Sequence, residues 1–176
     1  MSELTDALLK AHAEVALRGN PSHHALILAA QGSANYFNAL TAVFSTYGGI
    51  HGPLAGTYDL LLNPDPCAEI TMRLDLGYQI PGYGNSFYKD GVEPAFQPVE
   101  AELRKVNPTL AGKIDLMTEF IHGLGKKIYP NPSTFTCAVA ITEGIQKEAV
   151  GFLVVQARLV PWTREFIRVV NETPKI

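Results

Sequence analysis

Histidine is the side chain best suited to trading a proton near neutral pH or donating a hydrogen bond to a carbonyl, and this chain carries five of them. His51 has the most suggestive setting, between Gly48-Gly49 and Gly52-Pro53. Glycines let a backbone approach a ligand closely, and a helix is expected to begin just after Pro53. An imidazole at a helix N-terminus is kept neutral and able to polarise a carbonyl. A turn histidine bonded to backbone accounts for the same residues equally well. His12 falls on the polar side of an amphipathic N-terminal helix and is expected in solvent. His23-His24 has no third ligand at a suitable spacing, so no metal is expected. His122, beside Gly123, reads as a surface or capping residue.

Three other segments could do chemistry. Ile80-Pro81-Gly82-Tyr83-Gly84-Asn85 brackets a tyrosine between two glycines. Such a loop offers unobstructed backbone N–H groups and a ring for stacking, and can wrap a nucleotide or phosphate. Tyr129-Pro130-Asn131-Pro132-Ser133-Thr134 is a helix entry at which Ser133 or Thr134 can cap. Arg158 emerges from the apolar run Val150 to Ala157. An arginine in that context either closes a structural salt bridge or binds a carboxylate bidentately. Cys67 and Cys137 have no CxxC or Cys/His cluster near them and read as reduced thiols.

The elements that must position these residues are almost all helical, so the fold class is all-α. Helices are expected from Ser2 or Thr5 to about Arg18 and, after a short apolar run at 25–30, at about 33–47 and 53–62. Others follow at about 64–76, 98–106, 109–125, 132–143, 147–157 and 161–171, with a break at Leu159-Val160-Pro161-Trp162. The 33–47 helix is apolar nearly all round and is expected to be buried, within the chain or against a partner. At 176 residues the chain is expected to be one domain, 1–176, with a small lobe at about 64–145 around the Pro81–Gly84 loop.

Composition narrows the function. Hydrophobic residues make up 47% and charged residues only 18%, with 14 basic against 17 acidic side chains. A net charge of −3 argues against a nucleic-acid binder, which would carry a basic stripe. No stretch approaches the roughly 18 apolar residues of a membrane span, and the N-terminus lacks a signal-peptide core, so a cytoplasmic protein without a membrane partner is expected. The charge-poor surface suggests that part of it is a subunit interface.

In order, three of these segments resemble the C-terminal half of the citrate synthase and citryl-CoA lyase superfamily. Ala42 to Gly52, ending in His51-Gly52, is similar to the family's helix and HG turn. Ile80-Pro81-Gly82-Tyr83-Gly84-Asn85-Ser86-Phe87-Tyr88-Lys89 resembles its I/V-P-G-F/Y-G-H-R-V-Y-K loop. Tyr129-Pro130-Asn131-Pro132-Ser133, with Ala157-Arg158 and Trp162 downstream, resembles Y-P-N-V-D followed by A-R-x-x-G-W. The middle motif is the most specific, and the resemblance spans about residues 25–170.

The resemblance implies an all-α, multi-helical fold and a site for coenzyme A or an acyl-CoA, used as substrate without a metal. His51 would match the histidine that hydrogen-bonds the thioester carbonyl and stabilises the enol of acetyl-CoA. Pro81, Gly82, Tyr83 and Gly84, with Lys89 after them, would match the loop against the CoA adenine. Arg158 would match an arginine that binds a carboxylate of oxaloacetate or citrate. The sequence departs from the pattern elsewhere. The family's second histidine falls at Asn85, the following arginine at Ser86, the proton-accepting aspartate at Ser133, and an upstream histidine near Gly32.

A serine hydroxyl is a very poor base where enol formation needs one, while Asn85 can still donate an N–H. Glu93 and Asp90 lie just past the loop, and the sequence does not choose between them as a replacement. Three readings follow. One is a divergent lyase or acyltransferase with altered catalytic residues, acting on an acyl-CoA thioester and a small carboxylic acid. Another is a non-catalytic CoA-binding relative, or a subunit pairing with a fuller homologue. The third is a structural domain without a ligand. The family dimerises through apolar helices, so a homodimer is the expected assembly.

Overall fold

In the computed structural model, residues 1–32, 35–46 and 54–173 are described. They form nine α-helices and two 3-10 turns, with no strand among them, as the all-α expectation requires. One sequence device starts four of the helices. An Asn or Asp cap followed by proline opens α2 (Pro21–Gln31), α5 (Pro66–Asp75), α7 (Pro108–Gly123) and α8 (Pro132–Thr142). The cap oxygen accepts an otherwise unpartnered N–H of the first turn, and the proline supplies helical φ where no donor is needed. Asn20, Asp65, Asn107 and Asn131 do this for His23, Ala68, Leu110 and Ser133. Ser133 is therefore not the cap; Asn131 takes that role and leaves the Ser133 side chain to other uses.

The remaining helices are α1 (Glu3–Glu14), α3 (Tyr36–Phe44), α4 (Leu54–Leu62), α6 (Gln97–Val106) and α9 (Val150–Glu172). Helix α8 lies at the centre, with Thr134 through Ala140 all buried. Around it α1, α4, α6 and α9 contribute Leu4, Leu8, Leu60, Leu103 and Val150, with Phe96 from a 3-10 turn. A second cluster joins α2 and α3 to the later part of α9 through Leu26, Leu40, Val43 and Trp162.

One expectation needs correction. The break at Pro161 does not occur; α9 runs unbroken through it for 23 residues. A mid-helix proline costs about 3 kcal/mol, but the stripe Val154, Ala157, Trp162 and Val169 is buried on both sides of it. Burying several such side chains outweighs one lost turn of hydrogen bonding. Within the single chain α3 is buried on one face. Ala39, Leu40 and Val43 face the core, whereas Phe37 is 77% exposed. Positions 33, 34 and 47 of that expected helix lie outside the described residues.

Candidate functional site

The first turn of α8 is stitched to the loop ahead of it in space. Asn131 N–H and Thr134 Oγ1 both donate to the Gly82 carbonyl, Asn131 Nδ2 donates to Gly84 O at 2.9 Å, and Gly84 N–H donates to Tyr129 O at 2.9 Å. Residues 80–85 and 129–134 thus form one rigid corner. Against it lies a cavity of about 340 Å³, near the lower end of the roughly 300–1,000 Å³ typical of small-molecule sites. Its polar lining includes His12 and Arg18 around the end of α1, Asn85, Glu93, Ser133 and Arg158.

The structure therefore brings Asn85, Ser133, Gly84 and Arg158 together around one space. Of the remaining expected site residues, Pro81, Gly82 and Tyr83 are buried behind the cavity and Lys89 is exposed away from its lining. His51 lies outside the described residues; Leu54, three positions on in the sequence, lines the cavity.

The loop is not the open cradle that its glycines suggested. Tyr83 is 8% exposed, and its hydroxyl donates to Ile114 O at 3.1 Å within α7. Burial, the largest cause, raises its pKa far above the ordinary tyrosine value. The ring is a core anchor rather than a stacking surface. The Gly84 N–H is likewise spent on Tyr129 O rather than offered to a phosphate.

His12 is the largest correction. It is 2% exposed, not solvated. Arginine has no acceptor, so Arg158 Nη2 donates to His12 Nδ1 at 3.2 Å. The ring proton must then sit on Nε2, which donates to Thr136 Oγ1 at 2.7 Å. That hydroxyl passes its own proton to Pro132 O at 2.7 Å, in the first turn of α8. Phe96 closes the ring in edge-to-face at 5.0 Å. Arg158 itself is 8% exposed. The result is a polar chain from α9 through α1 to α8 that sets the guanidinium in place on the cavity wall.

Burial first, and the Arg158 charge second, hold the His12 imidazole well below its ordinary value of 6.5. The unfolded chain gains a proton below pH 6.5 that the native chain refuses. The resulting stability is fully present above that pH and is lost as pH falls, by up to about 1.4 kcal/mol per unit. Urea melts at pH values between about 7.5 and 5.5 should show this slope, and His12→Gln should remove it. An unchanged slope in the variant would contradict a buried neutral imidazole.

Glu93, 5% exposed, is the other group the sequence left undecided. Its carboxylate accepts from Arg18 Nη1 and from Asn85 Nδ2, the latter at 2.7 Å. Asp90 is exposed and outside the cavity lining. Arg18 also donates to Glu14 at 2.9 Å. Among the described residues no group of three or more His, Cys, Asp or Glu side chains could hold a metal ion. No described helix is long and apolar enough to cross a membrane. Cys67 and Cys137 are free thiols.

No protein-family model matches the sequence, and no curated protein does. Solved structures do match. The chain superposes on citryl-CoA lyase from Hydrogenobacter thermophilus with a TM-score of 0.80 at 18% identity, covering 98% of this chain and 72% of that one. Citrate synthase from Thermotoga maritima gives 0.76 at 23% identity over 89% of this chain and 46% of that one. Citrate synthase from Thermoplasma acidophilum, solved as a ternary complex with carboxymethyl coenzyme A and oxaloacetate, gives 0.70 at 20% identity over 99% and 52%. The chain spans about half the length of these two citrate synthases. It has the all-α fold of citrate synthase and citryl-CoA lyase, as the three sequence segments led one to expect.

Proposed function

We propose that the cavity binds a small carboxylic acid against Arg158, next to the thioester end of an acyl-CoA. The observation that carries this reading is a nearly buried guanidinium, oriented by His12, on the wall of a small-molecule-sized cavity. Such a group recognises carboxylate strongly because little water competes with it. The likeness in fold to proteins named as citryl-CoA lyase and citrate synthase supports the thioester half of the proposal. In this role His51 would donate to the thioester carbonyl, and Asn85, whose amide is held on Glu93, would border the acid. The cavity is too small for the whole of coenzyme A, so the nucleotide end would lie outside it. Tyr83 is too buried to stack on an adenine there.

A second reading, binding without turnover, is favoured by Ser133, which lines the cavity where the resemblance expects a proton-accepting aspartate. Exchange of the acetyl-CoA methyl protons into deuterated solvent, followed by NMR with calorimetric binding in parallel, separates the two. Binding with exchange that is lost in His51→Ala supports an enolising enzyme. Binding without exchange supports the non-catalytic relative. Absence of any heat with CoA esters and carboxylates removes both. Phe37, Leu28 and Phe152, each more than two-thirds exposed in the single chain, offer apolar surface for the homodimer that we include in the proposal.

A further inference from the structure

We propose that Glu93 makes this cavity selective for acids carrying a single carboxylate. The inference rests on the reading that the cavity binds a small acid, and it adds which acids. Among the described residues the formal charges on the lining are two cations, Arg18 and Arg158, and one anion, Glu93, with His12 neutral. Glu93 does not stand at the rim. It is 5% exposed and spans the two donors on its side of the space, Arg18 Nη1 on Oε1 and Asn85 Nδ2 on Oε2.

A guanidinium and an amide held together in this way would make a seat for a carboxylate, and the chain fills that seat with its own side chain. A ligand carboxylate can settle against Arg158. A second one, reaching across toward Asn85, meets a buried negative charge and donors already in use. Like charges a few ångströms apart repel more strongly in a partly desolvated site than in water. Arg18 is shared between Glu93 and Glu14, so its charge offsets only part of this. Ser86, which lines the same side, adds no charge. The side chain therefore acts on specificity by excluding the wrong ligand as much as by placing the right one.

Calorimetry on the full chain at pH near 7.5, with the matched pairs butyrate and succinate, and pyruvate and oxaloacetate, tests this. Wild type should bind each monoacid about tenfold or more tightly than its diacid partner. Glu93→Gln keeps the shape and one acceptor while freeing the Arg18 charge, and should move the ratio toward the diacid by about tenfold or more. A wild-type preference for the diacids, or a ratio unmoved in a Glu93→Gln chain with a normal melt, overturns the role of Glu93 while leaving acid binding intact. Binding of neither class by wild type overturns both the role and the reading beneath it. The wild-type preference is measured without any variant, so a poorly folded substitution does not blunt the test.

Discussion

Arg158→Met is expected to weaken carboxylate binding by about a hundredfold or more, while the chain still folds. Removing one member of a buried, hydrogen-bonded charge pair typically costs about 2–5 kcal/mol, and each 1.4 kcal/mol is about tenfold. Methionine keeps much of the aliphatic stem at a position that shares the buried face of α9 with Val154 and Trp162. Arg158→Lys should recover only part of the loss, because an ammonium is a point charge that cannot present the flat fork of donors. Calorimetry with a monocarboxylate reads the affinity and circular dichroism reads the fold. The His12 contact supplies a second readout. With the guanidinium gone, one of the two causes that depress the imidazole disappears. The loss of stability below pH 6.5 should therefore become shallower, although burial, the larger cause, remains. Unchanged affinity in a folded Arg158→Met protein would remove the central assignment of this site.

What the sequence revealed and what it hid follow from the range of the contacts involved. The free cysteines and the all-helical class are local matters, and they were legible. Arg158 was conspicuous as well, as a cation ending an apolar stripe, and the fold places it on the cavity wall. His12 was hidden, although a signal existed. It follows Leu4 and Leu8 at four-residue intervals, on the stripe that Ala11 and Val15 complete, and all four apolar residues are buried. Counting histidine as polar placed it on the wrong face. Its partners, Thr136 and Arg158, lie 124 and 146 positions away, so nothing nearby in sequence announces them. Tyr83 misled for the same reason. Two flanking glycines suggest a free ring, and the contact that fixes it comes from Ile114, 31 positions on. Pro161 failed in the opposite sense, since a sound local rule was overridden by tertiary burial of Trp162 and its neighbours. Glu93 was visible as a candidate but undecidable, because only the fold carries its carboxylate to Asn85 and Arg18.

The same corner yields the largest expected effect on stability, from adding one carbon. Gly82 has φ of +80°, and a Cβ built there would sit 2.4 Å from Thr134 Oγ1 and 2.7 Å from Thr57 Cγ2. Neither neighbour can step aside. Both threonines are 1% exposed, and Thr134 Oγ1 is bonded to the Gly82 carbonyl itself. Gly84, two residues on, has nearly the same backbone, φ +84°, but its Cβ would meet nothing within 4 Å. The pair separates two penalties that usually arrive together. Gly84→Ala should cost only the left-handed backbone, about 1–2 kcal/mol. Gly82→Ala adds overpacking of typically 1–3 kcal/mol, and more where the obstacle is a bonded, buried hydroxyl. At about 2–4 °C of melting temperature per kcal/mol for a chain of this size, the first should lower the melt by a few degrees and the second by roughly 4–20 °C. Function should divide the same way. Forcing Thr134 off the Gly82 carbonyl loosens the first turn of α8 from the loop, and with it the spacing of Ser133 and Asn85 across the cavity. Carboxylate affinity should fall in Gly82→Ala and hold in Gly84→Ala, where the bonds from Asn131 and to Tyr129 are undisturbed. Equal losses in the two variants would mean that the glycines serve backbone conformation alone and that the corner does not set the geometry of the site.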